Sequence, residues 1–202
     1  LTPASPRVGV FGGAFDPPHL AHVALARAAV LQLGLDQLRV LPTGQAWHKS
    51  RVLSDAAHRL AMAREAFGEV PRAVVDDREL RRSGPTYTVD TLRELRREIP
   101  DATLLLVIGA DQAEALQGWH ESAEILRLAT IAVAARARPD PDAPPFDVTR
   151  LPAAAWTAVE LPPMPVSATQ IRSRVAAGQG IDQLVPGGVA RYIARHHLYA
   201  PD

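Results

Sequence analysis

Between Gly12 and His22 the chain reads Gly-Gly-Ala-Phe-Asp-Pro-Pro-His-Leu-Ala-His, a glycine pair followed by His19 and His22. Glycines let a turn close tightly and let a ligand approach the backbone. A helix starting behind such a turn offers unpaired N–H groups and the positive end of its dipole, which suits a phosphate. The spacing of His19 and His22 puts both imidazoles on one helix face, where they can donate hydrogen bonds to phosphate oxygens without a large permanent charge. Two other readings stand beside this one. A metal pair would want a third ligand, and no HExxH supplies it; two unrelated surface histidines is the other. The segment is neither GxGxxG nor GxxxxGK[ST], so the two commonest nucleotide fingerprints are absent.

A second candidate lies far along the chain, at Pro165-Val166-Ser167-Ala168-Thr169-Gln170-Ile171-Arg172. It reads as a helix start: Ser167 is placed to cap, free N–H groups follow, and Arg172 projects from the first turns. Arg172 can grip a phosphate bidentately. The plain alternative is an ordinary capped helix with a solvated arginine.

The elements that must carry these segments alternate almost from the start. Val8 to Phe11 reads as a strand, Leu20 to Leu33 as a helix, Leu38 to Leu41 as a strand stopped by Pro42-Thr43-Gly44. A helix capped by Ser54 or Asp55 and running to Phe67 follows, then a short β-like run at Ala73 to Val75 and a helix at Thr88 to Arg97. Leu104 to Ile108 sits inside an uninterrupted apolar run ended by Gly109, as expected of a central strand buried on both faces. Further on, Ser122 to Arg127 reads as helix and Thr130 to Ala134 as strand, Pro139 to Pro145 as an exposed proline-rich loop, and Trp156 to Leu161 as strand. Helices are expected at Ala168 to Ala177 and Gly187 to His196. Strands separated by helical crossovers predict an α/β fold, a doubly wound parallel sheet with helices on both faces and a small C-terminal helical part. No repeat or linker divides the chain, so residues 1–202 read as one domain, with 165–202 as its C-terminal helical segment. In such a sheet ligands bind outside the carboxyl ends of the strands, which singles out the loops Gly12 to His19, Pro42 to Ser50 and Gly109 to His120.

Composition mostly excludes. Basic and acidic residues balance at 22 each among 202 residues, which removes the whole-chain positive field of a non-specific nucleic-acid binder. There are no cysteines, so disulfides, Cys-ligated zinc and thiol catalysis are excluded. The apolar runs are too short to span a bilayer, and the N-terminus does not read as a signal peptide. A cytoplasmic protein without membrane or nucleic-acid partners is the expectation, and self-association is left open. The basic residues are 21 arginines and one lysine, Lys49. Compositional drift explains the arginines; the lysine gains meaning only from its neighbourhood.

The first loop resembles the GxFDPxHxxH signature of the nucleotidyltransferases that share an HxGH active-site motif, with Ala21 where that motif has glycine. The segment at Ser167 to Arg172 is similar to the family's ISSTxIR, with Val166 and Ala168 as departures. Ser83-Gly84-Pro85-Thr86-Tyr87-Thr88-Val89-Asp90-Thr91-Leu92 resembles the GPSYTVDTL segment of bacterial nicotinate-mononucleotide adenylyltransferases. Asp76 to Leu80, Gly109-Ala110-Asp111 and Trp119-His120 agree with the same family, and the likeness runs from Val8 to Tyr199. His48-Lys49 resembles its PPHK segment, with Ala46-Trp47 in place of the prolines.

The resemblance implies a Rossmann-like fold and adenylyl transfer from ATP to nicotinate mononucleotide, giving nicotinate adenine dinucleotide and pyrophosphate. It implies ATP contacts at Gly12, Gly13, Phe15, His19, His22, Gly109, Asp111, Ser167 and Arg172, with His19, His22, Arg172 and Lys49 carrying the reaction. His48, Lys49, Thr86, Tyr87, Trp119 and His120 fall to the mononucleotide. A pyridine carboxylate asks for N–H donors, which the turn before Thr88 can supply, and Trp119 offers a stacking face or simply packs in the core. Asp111 accepts from ribose hydroxyls or caps a helix. Mg²⁺ is expected on the phosphates with mostly water ligands, not in a protein carboxylate cage. Competing readings are the same chemistry on nicotinamide mononucleotide or phosphopantetheine, a class I aminoacyl-tRNA synthetase fragment, and a nucleotide sensor without turnover. The synthetase reading lacks a KMSKS-like loop, which one lysine cannot provide.

Overall fold

The computed structural model describes residues 5–44, 52–135 and 156–201. Its strands are β1 (Arg7–Gly13), β2 (Gln37–Pro42), β3 (Ala73–Val75), β4 (Thr103–Gly109), β5 (Thr130–Ala135) and β6 (Trp156–Glu160). They form one sheet in the order β3-β2-β1-β4-β5-β6, every neighbouring pair parallel. The chain winds outward from β1 to β3, then returns to lay β4 against the other side of β1. The topology therefore reverses between β1 and β4, where an open parallel sheet leaves a crevice at its carboxyl end.

The helices are α1 (Leu20–Gln32), α2 (Ala56–Phe67), α3 (Arg78–Arg81), α4 (Thr88–Glu98), α5 (Ala110–Ala115), α6 (Ser122–Leu128), α7 (Ala168–Ala176) and α8 (Gly187–Arg195). They cover both faces of the sheet. Side chains alternate along a strand, so in β4 Leu105 and Val107 join one core with Leu25, Met62, Phe67, Ile171 and Val189. Leu104, Leu106 and Ile108 point into the other, with Leu92, Leu95, Ile125 and Leu128. Burial on both faces is why that strand is apolar without a break. Through Ile171, Val189 and Ile193, α7 and α8 share the core of α1 and α2. Edge strand β6 is tied to α1 by the Gln32 side-chain amide, which bonds the Glu160 carbonyl at 2.9 Å and its N–H at 2.8 Å.

The longer elements fall within two residues of their predicted ends. Two short helices were not anticipated. α3 is a single charged turn, and α5 begins directly at the end of β4, so neither is long enough to show an apolar period.

Candidate active site

At the end of β1 the chain turns through Phe15, whose φ is 46°. A side chain on Gly13 would stand 2.9 Å from the Phe15 ring, so glycine is required there by close approach. Phe15 is buried, 2 % exposed, and meets His22 edge-on at 5.2 Å. It supports the histidine from below. His19 is the N-cap of α1; its ring is buried and stacks on that of His22, centroids 3.7 Å apart. The backbone N–H of His19 donates to His22 Nδ1 at 3.2 Å. A neutral imidazole that accepts at Nδ1 carries its proton on Nε2, so Nε2 of His22 is a donor. Leu20 N–H is engaged by the Leu184 carbonyl at 3.0 Å. The start of α1 thus brings both imidazoles together at the helix N-terminus, as the spacing of His19 and His22 predicted.

The two distant motifs meet. Arg172, on α7, donates from Nη1 to the Asp16 carbonyl at 2.8 Å and from Nη2 to Thr169 Oγ1 at 3.2 Å. Ser167 caps α7, its hydroxyl accepting from Gln170 N–H at 3.2 Å. The Asp16 carboxylate is buried and accepts from Ser54 N–H at 3.1 Å and from the Tyr199 hydroxyl at 2.6 Å. Burial first, and the Asp16 hydrogen bond second, raise the Tyr199 pKa and keep it a donor. Arg59 was not singled out by sequence. It is 3 % exposed and donates to the carbonyls of Ser54 (3.0 Å), Ala14 (3.1 Å) and Thr43 (2.6 Å), tying the loops behind β1 and β2 to the start of α2. Its one signal is position: with Met62, Ala63 and Ala66 it occupies the buried stripe of α2.

A cavity of about 400 Å³ opens where β1 and β4 end. Val10, Gly12, Gly13, Leu106 and Ile108 form its floor, and Thr86, Tyr87 and Thr88 bring the N-terminus of α4 to its wall. Asp111, Trp119 and His120 complete the opposite side. The structure thus gathers Gly12, Gly13, Thr86, Tyr87, Asp111, Trp119 and His120 in one cavity. Trp119 both lines it and packs on the second core. Tyr87 and His120 lie ring on ring, 4.2 Å apart, so His120 takes part in the aromatic wall. Gly109, not Asp111, is the N-cap of α5, and Asp111 stands in the helix's first turn, which removes its capping alternative. The Thr86 hydroxyl is buried with no hydrogen-bond partner among the described residues. Gly44 packs against the Glu79 carbonyl, and a Cβ there would stand 2.6 Å from Thr86 Oγ1. Glu79 also lines the cavity; its carboxyl accepts the Thr91 hydroxyl at 2.7 Å. Ala46, Trp47, His48 and Lys49 lie outside the described residues. Among the described residues no three His, Cys, Asp or Glu side chains gather as a metal site.

The family model described as cytidylyltransferase-like matches residues 10–174. A probable nicotinate-nucleotide adenylyltransferase of Albidiferax ferrireducens is 55 % identical over 96 % of this chain and 98 % of its own. That of Methylibium petroleiphilum is 46 % identical over 98 % and 95 %. Among solved structures, Plasmodium falciparum nicotinic acid mononucleotide adenylyltransferase complexed with NaAD superposes with a TM-score of 0.80 at 18 % identity, covering 96 % of this chain and 97 % of that one.

Proposed function

The chain belongs to the cytidylyltransferase-like family and, within it, to the nicotinate-nucleotide adenylyltransferases, and from its site we infer how it works. It transfers the adenylyl group of ATP to nicotinate mononucleotide, giving nicotinate adenine dinucleotide and pyrophosphate. The observation that carries the acceptor is the buried Thr86 hydroxyl, without a partner among the described residues, set at the N-terminus of α4 in an aromatic-walled cavity. A buried polar group left unpaired costs free energy. A pyridine carboxylate satisfies it, with the helix N-terminus offsetting the charge. Tyr87, His120 and Trp119 supply flat faces for the ring.

The 5′-phosphate of the mononucleotide is already ionised at neutral pH and needs no general base. Its oxygen bonds to the α-phosphorus of ATP as the bond to the bridging oxygen of the β-phosphate breaks, and the electron pair leaves with pyrophosphate. The chain's part is alignment and charge compensation. His22 donates from Nε2 and His19 stands against it, at the start of α1. Arg172 reaches the same loop through the Asp16 carbonyl, and Lys49 supplies a compact cation for the polyphosphate. Mg²⁺ would be carried on the triphosphate, where Asp111, exposed beside the cavity, could hold it through water and where the ion would offset phosphate charge. We place the reaction in the cytoplasm.

The test is pyrophosphate release from ATP with nicotinate mononucleotide, run beside His19→Ala. Release that needs the mononucleotide and falls in the variant is expected. Binding of ATP without release by the unmodified protein would make it a sensor, and faster release with the amide would overturn the acceptor.

A further inference from the structure

Glu79 is a buried acid that adenylyl transfer does not use. It stands in the wall of the cavity that holds Thr86, Tyr87 and Trp119, is 6 % exposed, and accepts the Thr91 hydroxyl at 2.7 Å. Thr91 lies in α4, so the Glu79 carboxyl is fastened over the early turns of the helix whose N-terminus meets the cavity. The surrounding charges are largely committed to one another. Just after α3, Arg82 reaches Thr91 Oγ1 at 3.3 Å and Glu94 of α4 at 2.8 Å. Before α3, Asp76 is held by Arg78 at 2.8 Å and by Arg39 of β2 at 3.4 Å. On the cavity side stand Asp111 and His120.

An ionised Glu79, fastened to Thr91 over the early turns of α4, and a pyridine carboxylate at the N-terminus of that helix are like charges competing for the same positive helix end. The corresponding carboxamide carries no charge and feels no such repulsion. We propose that Glu79 is a specificity-determining positioning residue: with its carboxyl protonated the cavity prefers the pyridine carboxylate, and with it ionised the preference swings toward the carboxamide. This rests on the acceptor reading above. Burial pushes the Glu79 carboxyl up to about 7, against the Thr91 hydrogen bond and Arg82, which brings the switch into the working pH range.

The experiment is kcat/KM for nicotinate mononucleotide and for nicotinamide mononucleotide, from pH 6 to pH 9, on the unmodified protein and on Glu79→Gln. The ratio of the two is decisive. Titration of the shared 5′-phosphate, of ATP and of the catalytic histidines cancels from it, while the ring substituent does not. The ratio in the unmodified protein is expected to fall roughly tenfold above pH 7, through KM rather than kcat. In Glu79→Gln it is expected to stay flat. A flat ratio in the unmodified protein, or an equal fall in the variant, overturns the proposal; if the variant does not fold, His120→Gln takes its place, where a fall that persists is expected and a fall that vanishes overturns the proposal. Preference for the amide at every pH would sink the acceptor reading instead, and no turnover of either substrate would sink both.

Discussion

The rings of His19 and His22 lie face to face, centroids 3.7 Å apart and planes 22° from parallel, while the His19 backbone N–H donates to Nδ1 of His22 at 3.2 Å. One nitrogen of His22 therefore caps α1 and the other carries the proton. Asparagine can reproduce the accepting nitrogen with its Oδ1 but has nothing at the Nε2 position. His22→Asn is expected to keep the melting temperature within a few degrees and to lower kcat by roughly 10²-fold, as loss of one preorganised donor does. Melting curves beside steady-state rates check it. An unchanged kcat would mean that Nε2 donates nothing to the reaction.

Thr86 offers the opposite pairing of effects. Its buried hydroxyl has no partner among the described residues, and valine matches its shape without the polar atom. Thr86→Val is expected to leave stability unchanged or raise it by about 1 kcal/mol, and to raise KM for nicotinate mononucleotide about tenfold. Chemical denaturation and initial rates separate the two. Destabilisation with KM unaltered would show a structural hydroxyl.

Glu79 also links stability to pH. Its carboxyl is pushed by burial from 4.5 up to about 7 in the folded chain, so the folded state holds a proton that the unfolded state releases. Its contribution is fully present below about pH 4.5 and is lost as pH rises to about 7, on the order of 3 kcal/mol in all. Glu79→Gln keeps an acceptor for Thr91 and has no proton to lose. The melting temperature of the unmodified protein is expected to fall relative to the variant across that window. Parallel curves would mean that Glu79 titrates normally.

Lys49 is the single lysine beside 21 arginines, and it stands in the segment that resembles PPHK. An ammonium is a compact charge on a flexible stem, whereas guanidinium is a planar fork. Lys49→Arg is therefore expected to lower kcat or raise KM for ATP severalfold. Unchanged kinetics would return Lys49 to compositional drift.

Much of this was legible in the chain because it is local. Alternating periods and turn residues predicted the order of strands and helices, and Gly109 after an unbroken apolar run marked the central strand. Ser167 was readable as a cap because capping is decided within one helical turn. The aromatic wall was half legible: Trp119 stood out beside motifs, but nothing near His120 told that its ring would cover Tyr87, more than 30 residues earlier.

By itself, then, the sequence determined the doubly wound class of the sheet, the family and the two segments expected to meet phosphate, since these rest on short-range pattern. Only the tertiary structure decided that Arg172 reaches the Asp16 carbonyl 156 residues away, that Arg59 joins three loop carbonyls, and that Thr86 and Glu79 line one cavity, the first with a buried hydroxyl unpaired among the described residues and the second with its carboxyl buried on Thr91. Burial and hydrogen-bond partners belong to the meeting of segments distant in the chain, and no window along it contains both sides of such a contact.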